Sequence, residues 1–290
     1  DSYVALMFPA ILGDALIAPL LYVLTKNHWI ASLYIVSAVS IQECGNAHWD
    51  GLTTLFLLLA ISYDDDLRFS ILTAVGICLK QFPAVALVRV LLGWKEIRKL
   101  VYTVLISLAI VGVFLIYCPR EFIDGITGHP VYTGVGPEGT LVGSMAWFVP
   151  YWAWAIIFVT MLVISLLTFR ASNYRNTVGI MVFLVTFMMF VTHKHTEIAF
   201  IPFALLLIQR SRYWVLVYLF CQYFIMLRMV HSELANYLFP LTFVIWAALV
   251  WENVMIAREA KEAKDGQSDI IRPLDGPSEA STTSGTPRPS

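Results

Sequence analysis

The sequence predicts an all-α membrane bundle, and three observations carry that prediction. Apolar residues make up 59% of the 290-residue chain and charged residues only 13%, with a mean hydropathy of +0.74. A water-facing shell needs more charge than that, so the bilayer is the expected solvent. Eleven apolar runs bounded by polar breaks fall at about 4–24, 29–41, 51–61, 67–79, 83–92, 100–117, 145–168, 178–192, 198–208, 213–227 and 237–251. Each reads as a helical segment, because only helices and closed barrels satisfy their backbone in lipid. The expected architecture is about eleven membrane segments in one transmembrane domain, residues 1–251, and a disordered cytoplasmic tail, residues 252–290.

Several runs are too short to cross alone. At about 1.5 Å per residue, a run of roughly 11–13 residues covers under about 20 Å, against a hydrocarbon core of about 30 Å. Irregular backbone at membrane depth is tolerated only inside protein or beside a water-filled cavity. Runs 29–41 and 51–61 are therefore expected to stop short of the outer surface and leave a cavity at that face. After Glu252 the chain turns charged and then to IIRPLDGPSEASTTSGTPRPS, a composition that cannot bury a core.

A net charge of −1 and a pI of about 6.6 give no basic field for nucleic acid, so that class of partner is excluded. Cys44, Cys78, Cys118 and Cys221 are far apart and lack CxxC spacing, which points to buried inert thiols and not to a zinc site or disulfide framework. Asp1 leads at once into an apolar run, without the basic segment and cleavage site of a signal peptide. A segment preceding Asp1 is expected.

Basic residues in short loops mark the cytoplasmic side. Lys95, Arg98 and Lys99 share one loop, Arg170 and Arg175 another, Arg210 and Arg212 a third, and Arg258, Lys261 and Lys264 follow the last run. Alternating helices put all four groups on one side together with Lys26 and the loop of Asp64, Asp65, Asp66 and Arg68. The opposite, non-cytoplasmic face then receives QECGNAHWD, KQFP, the loop from Cys118 to Ser144, HKHTE and RMVHSELAN. Five of the six histidines are in these loops. Ionisable groups at membrane boundaries either snorkel or serve a site, and their convergence favours a site.

Asp50, beside Trp49, opens a short run; it can hold a sugar hydroxyl or a cation, or be an ordinary helix N-cap. Lys80, with Pro83 opening the next helix, can meet a phosphate or simply snorkel. His193, Lys194, His195 and Glu197 lack the helical spacing of a zincin site, and a phosphate or pyrophosphate clamp fits them better. The stretch Arg120 to Asp124 reads as a short amphipathic interfacial helix, followed by irregular chain with His129. Asp14 is an intramembrane carboxylate that must be paired or face the cavity, and its expected role is structural.

The run of motifs PAILGDALIAPLLYVL, GNAHWDGLTTLFLLLAI, LKQFPAVALVRVLLGWKEIRK, PREFIDGITGH and HKHTEIAFIPFALLLI resembles the GT-C superfamily of integral-membrane glycosyltransferases over about residues 4–210. The nearest likeness is to mannosyltransferases that use polyprenyl- or dolichyl-phosphate mannose. The resemblance implies transfer of a sugar, mannose foremost, from a polyprenyl-phosphate donor to a lipid- or protein-linked acceptor at the non-cytoplasmic face of the plasma membrane or endoplasmic reticulum. It aligns Asp50 with the family's Gly-x-x-Asp-like position, Lys80 with its Lys-x-x-Pro position, and His193, Lys194 and His195 with its His-rich loop. The family's frequent Gln in the first of these motifs is absent. The acidic pair of the family's first outer loop is absent as well, which places the catalytic base in the segment expected before Asp1.

On this reading Lys80, His193, Lys194 and His195 bind the donor phosphate, while Asp50, His129 and Glu197 complete the substrate site. Partners are membrane lipid, the lipid-phosphate sugar as co-substrate, and a glycan or lipid acceptor; a divalent metal is left open, with no metal ligands assigned. The alternative class is a multi-pass transporter or lipid-binding scaffold, for which a midplane site and inverted repeats are expected.

Overall fold

The computed structural model describes residues 2–37, 49–80, 82–91, 96–127, 150–171, 177–190, 197–209, 211–230 and 239–270. These residues are helical, with no strand among them. In chain order the elements are α1 (Ser2–Thr25), α2 (His28–Ile35), α3 (Asp50–Ser62), α4 (Asp66–Leu79), a 3₁₀ segment (Phe82–Leu87), α5 (Val88–Leu91), α6 (Ile97–Tyr117) and α7 (Pro119–Thr127). There follow α8 (Tyr151–Ala171), α9 (Thr177–Phe190), α10 (Glu197–Leu206), a 3₁₀ turn (Leu207–Gln209), α11 (Trp214–Val230) and α12 (Phe239–Ile270). Every one of the eleven apolar runs carries helix.

Among the described residues, three helices are long and apolar enough to cross a membrane: Met7–Thr25, Ile97–Tyr117 and Pro240–Ala263. Others are shorter. The 13 residues of α3 and the 8 of α2 rise about 20 and 12 Å at 1.5 Å per residue. The run at 83–92 departs from a plain α-helix: it opens as a 3₁₀ segment, with Pro83 buried against Gly76 of α4.

Local chemistry sets the turns. Lys26 takes the left-handed conformation at φ 54°, donates its amide to Tyr22 O at 2.7 Å, and so ends α1. Asn27 then caps α2 by accepting from the Trp29 amide at 3.0 Å. The reversal takes two residues and folds α2 back along α1. Asp65 caps α4 in the same way, accepting from the Arg68 amide at 2.8 Å.

Helix α6 packs on α4, α4 on α3, α3 on α1, and α1 on α2, while α8 and α12 pack on α9. Helix α10 joins the two groups by touching α1, α2, α3, α9 and α11. Its residues Ile201, Phe203, Ala204 and Leu205 are fully buried, as are most described side chains of α9. A hydrogen-bonded cluster locks the second group: Trp246 Nε1 donates to Thr186 Oγ1 at 2.9 Å and to Ser165 Oγ at 3.3 Å, and the two hydroxyls are 3.1 Å apart. Thr186→Val keeps the shape and removes this hub. We expect a loss of about 0.5–2 kcal/mol, the range of buried interhelical hydrogen bonds in membrane proteins. A thermal melt in detergent that matches wild type would show that the cluster contributes nothing.

The tail expectation needs correcting. Helix α12 continues through the charged stretch to Ile270, so residues 252–270 are helical and not disordered. Ala, Glu, Lys, Arg and Met are good helix formers, and a helix already nucleated by the apolar run extends through them at no further nucleation cost. Arg258 Nε pairs with Glu262 Oε1 at 2.9 Å, one turn on. Residues 271–290 lie outside the described residues.

Lys99 differs from its expected loop position too. It lies in the first turn of α6, 2% exposed, with Glu96 Oε2 at 3.4 Å, Asp66 Oδ1 at 3.6 Å and the Phe69 ring centroid at 5.4 Å. The amphipathic stretch at Arg120 to Asp124 is helical within α7, and Phe122 stacks on Phe114 of α6 at 6.0 Å.

Candidate functional site at the start of α3

Asp50 is the first residue of α3, and Trp49 stands at the N-cap without a side-chain cap bond. Asp50 is therefore not the N-cap residue. Its carboxylate is fully buried and accepts a hydrogen bond from Lys80 Nζ in an ion pair. Lys80 closes α4 in an extended conformation, its amide donating to Gly76 O at 2.9 Å, and its side chain is 32% exposed. Two short helices thus bring opposite charges together at neighbouring ends. A carboxylate this deep needs such a partner, because desolvating a lone charge costs several kcal/mol or more.

Beside the pair, helices α1 and α3 cross with almost no side chain between them. A Cβ added to Gly13 would lie 2.5 Å from Leu52 Cα, and one added to Gly51 would lie 3.0 Å from Asp14 Cβ. Small residues are what permit such close backbone approach. The crossing sets the start of α3 level with Asp14, near the midpoint of α1. The crossing ranges Asp50 alongside the middle of the long apolar helix.

Asp14 is 3% exposed and accepts from the Tyr34 hydroxyl, which belongs to α2 and is itself buried. Glu197 is the first residue of α10, the helix that packs on α1, α2 and α3. His129, His193, Lys194 and His195 lie outside the described residues, and so does the expected approach of Lys80 to their loop. Among the described residues no group of three or more His, Cys, Asp or Glu is assembled as a metal site.

Reasoning from sequence missed Tyr34, Gly13 and Gly51. A signal was present: in Gly13-Asp14 and Asp50-Gly51, a carboxylate adjoins a glycine in two different apolar runs. It also missed Glu252, which is buried and accepts from Ser211 Oγ and from the Arg212 amide, the latter at 2.7 Å. Comparison with protein-family models, curated proteins and solved structures gives no match. The chain is thus defined at the level of a protein whose described residues are helical, with three helices long and apolar enough to cross a membrane, and the GT-C likeness rests on its motifs alone.

Proposed function

We propose that the chain is a multi-pass membrane glycosyltransferase that moves a sugar, mannose foremost, from a polyprenyl-phosphate donor to a lipid- or protein-linked acceptor at the non-cytoplasmic face. The supporting observation is the Asp50–Lys80 pair, a buried carboxylate joined to a partly exposed ammonium where two short helices end. An ammonium has three donors and Asp50 engages one of them, so Lys80 retains donors for a lipid phosphate. In the reaction an acceptor hydroxyl attacks the anomeric carbon and the bond from that carbon to the phosphate oxygen breaks. The lipid phosphate leaves with the bonding pair, and a carboxylate takes the hydroxyl proton. Lys80 stabilises the departing phosphate, and Asp50 holds Lys80 in place. His193, Lys194 and His195 add cationic and donor groups to the same phosphate, while His129 and Glu197 complete the substrate site.

One observation favours a second reading. The start of α3 is level with the midpoint of α1, and a charge pair between short helices set alongside the middle of a long apolar helix is also how a cation- or proton-coupled transporter is built. Reconstitution separates the two. Purified protein in lipid vesicles with labelled polyprenyl-phosphate mannose and an acceptor extract should yield labelled product, whereas cation or proton flux without donor and no transfer by folded protein would establish the transporter.

The orientation has its own test. Single cysteines at Arg98 and Arg258 are expected to label from the cytoplasmic side of intact cells, and those at Trp49 and His129 from the opposite side. Labelling of positions 98 and 129 from the same side would refute the alternation.

A further inference from the structure

Asp14 is a buried carboxylate to which the proposed reaction gives no task. The Tyr34 hydroxyl donates to it, and Tyr34 is 1% exposed in the last turn of α2. Tyr218 of α11 holds that same turn by donating to Leu33 O at 3.2 Å. Helix α2 has 8 residues, too few to hold its own conformation without packing partners. On its other side Asp14 lies under the first turn of α3: the space above Gly51 ends on Asp14 Cβ at 3.0 Å and Cα at 3.2 Å. Asp50 is the residue immediately before Gly51. Asp14 therefore abuts the turn that carries Asp50, one of the two partners of the pair, and is itself held by α2. An apolar side chain fills buried space at least as well as an ionisable one, whereas a directional hydrogen bond also fixes rotation.

We propose that Asp14 is a positioning residue for the Asp50–Lys80 pair, acting through the first turn of α3 and through its hydrogen bond with Tyr34. The proposal rests on the glycosyltransferase reading only for its transfer measurement. Its first readout is independent of any activity: the rate at which a small amine-reactive reagent labels Lys80, quantified by mass spectrometry on the full chain in lipid nanodiscs. Lys26, at the far end of α1, is the internal reference. An amine engaged with the buried Asp50 carboxylate is hindered and labels slowly, and one released from it labels faster.

Asp14→Asn retains an acceptor oxygen for Tyr34 and should label within about twofold of wild type. Tyr34→Phe and Asp14→Ala should speed Lys80 labelling about five- to tenfold, as expected when one buried hydrogen bond no longer opposes local opening. If both variants melt at lower temperature yet label Lys80 at the wild-type rate while folded, Asp14 serves the fold alone and the proposal is overturned. Should Asp14→Ala fail to fold, Tyr34→Phe, which loses a single oxygen, decides. Transfer from labelled polyprenyl-phosphate mannose is followed in parallel, and Tyr34→Phe and Asp14→Ala should lower kcat while Asp14→Asn stays near wild type. Absent transfer by wild type with the expected labelling pattern defeats the enzyme reading and leaves the positioning role standing. Normal transfer with unresponsive labelling does the reverse.

Discussion

Lys80→Ala is expected to slow sugar transfer by about tenfold to a thousandfold, the range for losing one charge-stabilising contact in a transition state. The complication is stability. Removing Lys80 leaves Asp50 buried without its ammonium, and breaking a buried pair from one side costs about 3–5 kcal/mol. A second variant separates the effects: Asp50→Asn combined with Lys80→Met removes both charges, so most of the stability should return while transfer stays low. Lys80→Arg should recover part of the activity, since a guanidinium keeps the charge but differs in shape and hydration. Lys26→Ala, at the other end of α1, should do little. Recovery of full transfer in the neutral double variant would show that the pair supports the fold and takes no part in the reaction.

Gly13→Val should abolish the native packing of the α1–α3 crossing. The nearest obstacles to a new Cβ are Leu52 Cα at 2.5 Å, its Cβ at 2.6 Å and its amide nitrogen at 2.8 Å. Backbone cannot rotate away as a side-chain tip can, so the helices must separate. Overpacking typically costs about 1–3 kcal/mol and more where the backbone has to shift, which places this variant at the upper end. Gly112→Val on α6 is the matched control, with nothing within 4 Å of its added Cβ. Detergent-extracted yield and thermal melting should fall for the first and hold for the second. Equal stability of the two would mean that the crossing is looser than described.

The helices were legible in the sequence because apolar runs and polar breaks report burial in lipid directly. The short lengths of α2 and α3 were legible for the same reason. The continuation of α12 was not, since charge was read as a sign of disorder although Arg258, Lys261 and Glu262 are good helix formers once a helix has begun. Asp50 and Lys80 were each singled out as polar residues at run ends. Their pairing was hidden, because 30 residues of chain separate them and only the hairpin of α3 and α4 closes that distance. Tyr34 was hidden for a different reason: in an apolar run a tyrosine reads as one more aromatic, and its hydroxyl acquires meaning only opposite Asp14.

The two anchorages of α12 have a mechanical consequence. Trp246 is pinned by Ser165 and Thr186, and Glu252 by Ser211 and the Arg212 amide. Six residues apart, at about 100° per residue, they project in directions about 120° apart around one axis. A rod keyed at two such points can neither spin nor slide without breaking both fastenings. A twist applied to its charged end meets the Glu252 fastening first and the Trp246 one only beyond it, so α12 is a locked spindle whose polar extremity turns only by fraying, while its apolar part keeps its register against α8 and α9.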